Sequence, residues 1–392
     1  MKYKRGTVLM VGIGVVAIGL TLWLVSRVRH ALAPSANNVP AVVEGEGGAP
    51  ELNKKVMIDK LANVWDLAFL PDDTLLFTER SGTISKLVDG QRIFLATVPN
   101  VYARGEGGLL GLTVDRNFVN NRFIYACYNT PQDIRVSRWK VSDNAASLSE
   151  KTDIVTGLPV NTTTSPGRHS GCRIRFGADS NLWIGTGDVA QSANPQSHKS
   201  LGGKILRVDR DGKPAPDNLG GDFDPRIYSY GHRNTQGLAM LEIPRLGVYG
   251  YSVEHGPDSH DEINALVKGN FGWDPVPAPY TESVPMTDQS KYPEAIGALW
   301  DSGNSTIAPS GMTFIKGSNW KGFNGRLAMA VLKGKQIRLL EIDATGKLKS
   351  EQVLFDGEFG RIRSVVMGPN DDLYFSTDNG AGQDKIVKVS PQ

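Results

Sequence analysis

Residues 174–186, with the sequence IRFGADSNLWIGT, carry the pattern that decides the fold of this chain. A short apolar strand leads into a turn that contains Asp179, and a second apolar strand begins at Leu182. Residues 67–78 and 365–377 repeat this pattern, with a Pro-Asp or Pro-Asn turn between the two strands. Weaker copies begin near three further positions, Leu110, Leu238 and Met312. The chain is therefore built from a repeated unit of short strands.

This repetition predicts an all-β fold, a six-bladed β-propeller over residues 53–392. In a propeller each four-stranded sheet is covered by its neighbours, which accounts for a unit that recurs along the whole domain. Six copies favour six blades, and seven blades is the alternative. We expect residues 385–389 to pair with an early strand, such as residues 55–58, and so to close the ring.

The N-terminal residues 1–30 predict a membrane anchor or signal segment. Residues 7–25 are almost wholly apolar and long enough to cross a bilayer as one transmembrane helix. Three basic residues precede this run, which favours a cytoplasmic N-terminus and an exported propeller. We favour a single-pass anchor in the inner (cytoplasmic) membrane, with the propeller in the periplasm or outside the cell. The alternative is a signal peptide cleaved near residues 31–33.

Composition bears on the linker, on partners and on redox chemistry. Residues 31–52 are rich in Pro, Gly, Ala and Asn and predict a flexible linker. The 43 basic and 41 acidic side chains nearly balance, which gives no basis for binding nucleic acid. The two cysteines, Cys127 and Cys172, lack the spacing of a metal site and lie beside strand-like runs. We favour buried, inert thiols, with a single disulfide as the alternative.

Several polar loops stand directly before predicted strands and carry the candidate chemistry. His169 lies in the glycine-flanked loop 167–173, and histidine is the side chain whose unperturbed pKa suits proton abstraction near neutral pH. The loop 230–238 places Arg233 beside other polar residues. The oxygen-rich turn 254–264 offers the carboxylate and carbonyl ligands that Ca²⁺ prefers. The alternative interpretation of each loop is a solvated surface segment.

A set of cations near later strands indicates an anionic ligand. Arg361 and Arg363 alternate on a strand-like segment, so their side chains share one face. Two like charges on one face repel each other unless an anion lies between them. Lys333 adds a further cation near another late strand. The alternative is a pair of solvated arginines on an outer strand.

Taken together and in this order, these segments resemble the soluble glucose and aldose sugar dehydrogenases that depend on pyrroloquinoline quinone (PQQ), the glucose/sorbosone dehydrogenase family. The resemblance covers roughly residues 56–389. Its markers are the strand end FTER at 77–80, the run GGLLG at 107–111, the His-x-x-x-Arg turn at 169–173, the loop GHRN at 231–234, and Gly256-Pro257 before DEIN at 261–264.

The resemblance implies a propeller with its cofactor at the wide mouth of the channel. It implies that His169 takes the proton from the anomeric hydroxyl of an aldose while hydride passes to the quinone, and that Arg233 acts near the quinone oxygens. It implies cofactor contacts from six residues, Glu106, Asn234, Thr306, Lys333, Arg361 and Arg363. It also implies Ca²⁺ ligands, which are the carbonyls of Gly256 and Pro257 for an ion that bridges to PQQ, and Glu262 with Phe271 for a structural ion.

The chain departs at four positions from the common pattern of that family or of its glucose-specific branch. Glu106 stands where a glutamine touches the cofactor, and a carboxylate there needs a compensating cation. Arg168 replaces an aspartate in front of the base, where it offers a partner for an anionic substrate. Asn304 replaces an aromatic residue that covers the cofactor, and Phe271 replaces a tyrosine near the structural Ca²⁺.

The leading hypothesis is an exported, membrane-tethered oxidoreductase that depends on PQQ and Ca²⁺ and oxidises an aldose-type sugar by hydride transfer from the anomeric carbon. Its electrons would pass to an acceptor in or near the membrane, a cytochrome or a quinone. The first alternative is a propeller without redox chemistry that only binds a ligand or a partner protein. The second is a Ca²⁺-dependent hydrolase of the lactonase type, which would leave the cluster of cations unexplained.

Overall fold

The computed structural model describes residues 47–392, apart from residues 246, 278–279, 344 and 381. The predicted anchor, residues 1–30, lies outside the described residues, as does most of the predicted linker. In the described part of the chain, no helix combines the length and the apolar character that a membrane span requires. Short antiparallel strands make up most of the described secondary structure.

Six sheets confirm the predicted six-bladed propeller. The first described strand, β1 (Leu52–Leu61), belongs to the last sheet, and the following strands build the blades in chain order. Blade 1 contains β2 (Val64–Phe69), β3 (Leu75–Glu79), β4 (Thr83–Val88) and β5 (Gln91–Thr97). Blade 2 contains β6 (Leu109–Val114), β7 (Phe123–Asn129), β8 (Ile134–Val141) and β9 (Leu148–Leu158), with a one-turn helix α1 (Phe118–Asn121) before β7. Blade 3 contains β10 (Gly171–Phe176), β11 (Leu182–Thr186), β12 (Lys204–Val208) and β13 (Ile227–Tyr230).

The remaining blades follow the same order from the inner to the outer strand. Blade 4 contains β14 (Thr235–Arg245), β15 (Val248–Glu254), β16 (Glu262–Ala265) and β20 (Trp300–Asp301). Between these, β17 (Gly269–Asn270) adds a parallel edge to blade 3, and β18 (Val276–Pro277) pairs with β19 (Tyr280–Thr281). Blade 5 contains β21 (Pro309–Phe314), β22 (Leu327–Val331), β23 (Gln336–Ile342) and β24 (Leu348–Leu354). Blade 6 contains β25 (Ile362–Met367), β26 (Leu373–Thr377) and β27 (Asp384–Pro391), and 3₁₀ turns occupy Ser318–Phe323 and Pro369–Asp371.

Strand β1 closes the ring, as the sequence predicted. It pairs antiparallel with β27, so that Lys55 lies opposite Lys388 and Val56 lies opposite Val387. Blade 6 is therefore assembled from both ends of the described chain. The N-terminal strand thus supplies the outer strand of blade 6 and covers the edge of β27.

The apolar core lies between neighbouring blades. The innermost strands β2, β6, β10, β14, β21 and β25 contact one another in a closed ring. Buried side chains form a separate cluster at each interface between two blades, for example Trp183 with Leu238 between blades 3 and 4. Each apolar face is thus covered by the next sheet, which is why the repeated strand pairs could be recognised from the sequence.

The two cysteines form a disulfide, so the prediction of free buried thiols was wrong. Cys127 on β7 and Cys172 on β10 have Cα atoms 5.6 Å apart and are covalently joined. The bond links blade 2 to blade 3. The two cysteines are 45 residues apart, and nothing in the local sequence indicates that they pair, because only the packing of two blades brings their strands together. Disulfides of this kind persist mainly in oxidising compartments.

Candidate active site

One end of the channel collects the polar loops that the sequence analysis selected. The loops that precede the innermost strands of different blades meet there, because those strands enter the ring from the same end. A cavity of about 160 Å³ lies in this position, and all six blades contribute to its wall. Its lining includes Trp65, Glu106, Ser170, Gln236, His255, Ala308, Arg361 and Arg363.

His169 lies immediately before β10 and pairs with a carboxylate that the sequence analysis did not identify. Gly171 pairs with Thr186 across β10 and β11, so two residues further out His169 faces Asp188. The imidazole Nδ1 lies 2.8 Å from Asp188 Oδ1, and the His169 residue is only 3 % exposed. A side chain at Gly187 would overlap the carbonyl of His169, so glycine is needed for this close approach.

Asp188 is fully buried and is held by several donors. Its Oδ2 accepts hydrogen bonds of 2.8 Å from Trp273 Nε1 and from the Tyr280 hydroxyl. Burial by itself raises the pKa of Asp188, but the charge and hydrogen bond of His169, the charge of Arg233 and the hydrogen bond from Trp273 lower that pKa below its ordinary value. The ionised carboxylate accepts the Nδ1–H of His169. We assign the free lone pair to Nε2 on this basis.

A second carboxylate, Glu282, lies on the other side of the imidazole. Its Oε1 is 3.8 Å from His169 Nε2. The same oxygen accepts hydrogen bonds from Arg233 Nε at 2.9 Å and Nη2 at 2.5 Å, while Oε2 accepts one from Arg168 Nη2 at 2.6 Å. Arg168 Nε also donates a hydrogen bond of 3.2 Å to His169 Nε2. Arg168, which replaces an aspartate of the glucose-specific pattern, is therefore already paired within the chain.

Arg233 and Asn234 occupy the loop before β14 and are both buried. Arg233 Nη1 donates to the carbonyl of His255 at 2.8 Å, and its backbone N–H donates to Glu254 at 2.6 Å. Asn234 Nδ2 donates to Glu106 Oε2 at 3.2 Å. Glu106 thus gains a partner from the same loop, although it stands where the family pattern has glutamine.

Of the three cations predicted to bind the cofactor carboxylates, one is paired within the described part of the chain and two are not. Arg363 binds Asp378 through Nε at 3.0 Å and Nη2 at 2.5 Å. Arg361 lines the cavity beside it, and its guanidinium makes no hydrogen bond or ion pair to any residue that the structure describes. Burial, together with the charge of Arg363, lowers the pKa of Arg361. Lys333 is exposed next to the cavity-lining Leu332. A half-buried, unpaired guanidinium suits an anionic ligand, so these residues fit the carboxylates of PQQ.

Two other candidates lie outside the cavity wall. The Thr306 hydroxyl donates to Asp261, with its oxygen 2.8 Å and 2.9 Å from the two carboxylate oxygens. It therefore orders the turn that contains Gly256, since Gly256 N–H donates to the same carboxylate at 2.9 Å. Asn304 is exposed in the loop between β20 and β21.

The predicted Ca²⁺ ligands lie on and beside blade 4. Glu262 is buried next to Glu254, and burial together with the charge of Glu254 raises the pKa of Glu262 to about 8. Asn264 donates to both carboxylates, and its buried Oδ1 has no hydrogen-bond partner within the described ranges. Two adjacent carboxylates and an orphaned oxygen fit a bound cation.

The other predicted metal contacts are backbone groups. No hydrogen bond from a described residue ends on the carbonyl oxygens of Gly256 or Pro257. Phe271 is buried with its ring stacked on His232 at 4.5 Å, so it can offer a metal only its carbonyl. In the described part of the chain, no group of three or more His, Cys, Asp or Glu side chains is arranged to hold a metal ion by itself, so a cation there needs such carbonyls.

Comparison with known proteins identifies the family of this chain. The family model for glucose/sorbosone dehydrogenases matches residues 61–388. The chain belongs to this family. It is 32 % identical over 361 residues to the aldose sugar dehydrogenase YliI of Escherichia coli, which covers 87 % of this chain and 93 % of the relative. It is 28 % identical to the quinoprotein glucose dehydrogenase B of Acinetobacter calcoaceticus over 69 % of this chain and 63 % of that protein.

Solved structures agree with this assignment. The PQQ-bound aldose sugar dehydrogenase of Streptomyces coelicolor aligns with a TM-score of 0.72 at 30 % identity, over 88 % of this chain and 100 % of that one. The apo aldose sugar dehydrogenase of Escherichia coli aligns with a TM-score of 0.75 at 28 % identity, over 87 % of this chain and 100 % of that one. The resemblance drawn from the sequence motifs is therefore confirmed.

Within this glucose/sorbosone dehydrogenase, two residues of the site escaped the sequence analysis. Asp188 had a usable signal, because it lies two residues after β11, which ends at Thr186 and pairs with the strand that follows His169. Glu282 had none, because the segment around it shows no periodicity. Only the folded chain brings Glu282 against the base.

Proposed function

We propose that this chain is an exported, PQQ- and Ca²⁺-dependent dehydrogenase that oxidises an aldose at its anomeric carbon and passes electrons to an acceptor in or near the membrane. The observation that carries the proposal is the buried His169–Asp188 pair beside a cavity walled by Arg361 and Arg363. Relatives named aldose sugar dehydrogenase and quinoprotein glucose dehydrogenase support the same chemistry.

His169 supplies the base in this proposal. Because Asp188 accepts the Nδ1–H, the lone pair of Nε2 can take the proton from the anomeric hydroxyl once that hydroxyl displaces the N–H of Arg168 Nε, which donates to Nε2 at 3.2 Å. Asp188 stabilises the imidazolium that results, as carboxylates do in other carboxylate–histidine pairs. PQQ, when bound, supplies the acceptor for the hydride and its two electrons. A cyclic aldose that loses this proton and this hydride becomes a lactone, so atoms and electrons balance.

The remaining candidates hold the ligands. Arg361, Arg363 and Lys333 would bind the cofactor carboxylates, and Glu106, Asn234 and Thr306 would contact or order its surroundings. Arg233 supplies a fixed positive charge beside the base. The carbonyls of Gly256 and Pro257 would hold the catalytic Ca²⁺, and Glu262 with the carbonyl of Phe271 the structural one.

Export rests on two independent features. Residues 7–25 form an apolar run that follows basic residues. The Cys127–Cys172 disulfide suits an oxidising compartment. Cell fractionation with maleimide labelling tests this part. We expect the full-length protein in the membrane fraction, and we expect both cysteines to react with maleimide only after a reductant has opened the disulfide. Cysteines that react in intact cells without reductant would contradict export.

The activity is tested with the full chain loaded with PQQ and Ca²⁺, a panel of aldoses and an artificial electron acceptor. We expect aldose-dependent reduction of the acceptor, loss of activity on chelation of Ca²⁺, and a fall of about 1,000-fold or more for His169→Ala. His198→Ala is the matched control, because His198 is exposed and pairs with Asp222 at the surface. A PQQ-loaded protein that oxidises no aldose would contradict the proposal.

A further inference from the structure

Glu282 stands where a sugar must place the group next to its anomeric carbon. Its Oε1 lies 3.8 Å from His169 Nε2, the atom that receives the anomeric proton in the proposed function. Neighbouring hydroxyl oxygens on a sugar ring are about as far apart as two hydrogen-bonded oxygens. A sugar whose anomeric hydroxyl replaces Arg168 Nε at Nε2 can therefore direct its C2 hydroxyl to Glu282 Oε1.

The carboxylate is anchored independently of that oxygen. Oε2 accepts a hydrogen bond from Arg168 Nη2 at 2.6 Å, while Oε1 faces Arg233 and lies 3.3 Å from the Tyr280 hydroxyl. If Oε1 exchanges one of its donors for a sugar hydroxyl, Arg168 still holds the carboxylate in place. Arg168 thus acts as a positioning residue for Glu282 and is not available to a substrate anion.

The cleft beside the base also favours contact between Glu282 and a sugar. It has a volume of about 580 Å³, which falls within the range of small-molecule sites. Its charged lining side chains are Arg168, Asp258 and Glu282, so one cation faces two anions. An anionic sugar gains nothing in this cleft, whereas hydroxyl and ammonium groups find acceptors.

We propose that Glu282 is a specificity-determining residue that accepts a hydrogen bond from the C2 substituent of the aldose. The inference rests on the proposed function and narrows its substrate class to aldoses with a C2 hydroxyl or a C2 ammonium group. Sites that hydrogen-bond a substrate hydroxyl discriminate strongly against the analogue that lacks it, because the protein group then stays unpaired. Sugars with a 2-deoxy position are therefore poor substrates.

The test compares each parent aldose with its 2-deoxy analogue, using the PQQ- and Ca²⁺-loaded full chain. The pairs are glucose, galactose and ribose with their 2-deoxy forms, and glucosamine serves as the cationic probe. We expect the ratio of kcat/KM between parent and 2-deoxy sugar to be about 10- to 100-fold in the unaltered protein. In Glu282→Ala the ratio approaches one, and in Glu282→Gln the preference for glucosamine over the 2-deoxy sugar falls as the charge is lost.

The ratio separates recognition from a purely structural role. If Glu282 only positions Arg168 and Arg233, its replacement slows parent and 2-deoxy sugars equally and leaves the ratio unchanged, which overturns the inference. Asp258→Ala is the matched control, because Asp258 lies in the same cleft but hydrogen-bonds to neither arginine, and its ratio should stay within about twofold of the original. Titration calorimetry with PQQ verifies that each variant still binds cofactor. Absence of turnover for every parent sugar counts instead against the proposed function.

Discussion

At the level of single residues, Asp188 determines which ring nitrogen of His169 carries the proton and which one carries the lone pair. Asp188 is fully buried and receives donors from His169, Trp273 and Tyr280. Such a buried, fully bonded carboxylate keeps its charge and its direction. The base therefore keeps its tautomer, and the N–H of Arg168 Nε that donates to Nε2 must give way before Nε2 takes a proton.

We expect Asp188→Asn to fold and to lose about 100- to 10,000-fold in kcat, because the amide no longer stabilises the imidazolium and allows the wrong tautomer. Steady-state kinetics of the PQQ-loaded protein measure the effect. Tyr280→Phe is the control, since it removes one donor from Oδ2 and leaves the Nδ1 contact intact. A loss for Tyr280→Phe as large as that for Asp188→Asn would contradict a specific role of the carboxylate–histidine contact.

The histidine was recognisable from the sequence, whereas its partners were less so. His169 lies in a short glycine-flanked loop before an apolar strand, and this pattern is visible in the local sequence. Asp188 and Glu282 meet it only through strand register and through a segment without periodicity. Contacts made by tertiary packing leave little trace in local sequence, which is why the site was predicted only in part.

At the scale of elements, the repeated strand pair predicted the blades correctly because both of its strands and their turn are contiguous. The closing strand was also predictable, since apolar alternation at both ends of the domain needs a partner. The disulfide between β7 and β10 was not, because the two cysteines lie on different blades. Their proximity is a property of the ring and not of either strand.

The disulfide should stabilise the propeller against unfolding. It closes a loop of 45 residues in the unfolded chain, which corresponds to at most about 4 kcal/mol by loop entropy. Urea denaturation with and without dithiothreitol measures this, and we expect a lower free energy of unfolding when the bond is reduced. A double variant with Cys127→Ala and Cys172→Ala is the control and should not respond to reductant. Equal stability of the oxidised and reduced forms would contradict a structural role for the bond.

At the scale of the whole molecule, buried charges join blades across the channel. Asp66 on blade 1 pairs with Arg173 at 2.6 Å and with Arg175 at 2.7 Å on blade 3. It also accepts the backbone N–H of Leu112 on blade 2 and the hydroxyl of Ser364 on blade 6. One carboxylate thus links blade 1 to three other blades, and its removal would leave two arginines without their counter-charge.

These carboxylates predict acid sensitivity. Burial raises the pKa of Asp66 and of Asp378, but the neighbouring arginines more than offset it and bring each to about 2, from an ordinary 3.8. A folded-state pKa below the unfolded one means that the stabilisation is present above pH 4 and is lost as the pH falls towards 2. Each group contributes about 2 kcal/mol.

Urea denaturation between pH 5 and pH 2 measures this loss. We expect the free energy of unfolding to fall steeply below pH 4, and to fall less steeply in Asp378→Asn, which lacks one of the two groups. A stability that is constant down to pH 2.5 would show that these ion pairs do not set the acid limit.

If the mouth of this propeller binds PQQ through its unpaired cations, calorimetric titration of the full chain with PQQ, with and without Ca²⁺, should detect the binding. We expect tight, Ca²⁺-dependent binding that Arg361→Met weakens about 10- to 100-fold, without loss of stability because Arg361 has no ion-pair partner among the described residues. Absence of binding by the folded protein in the presence of Ca²⁺ would instead favour a ligand-binding propeller without redox chemistry.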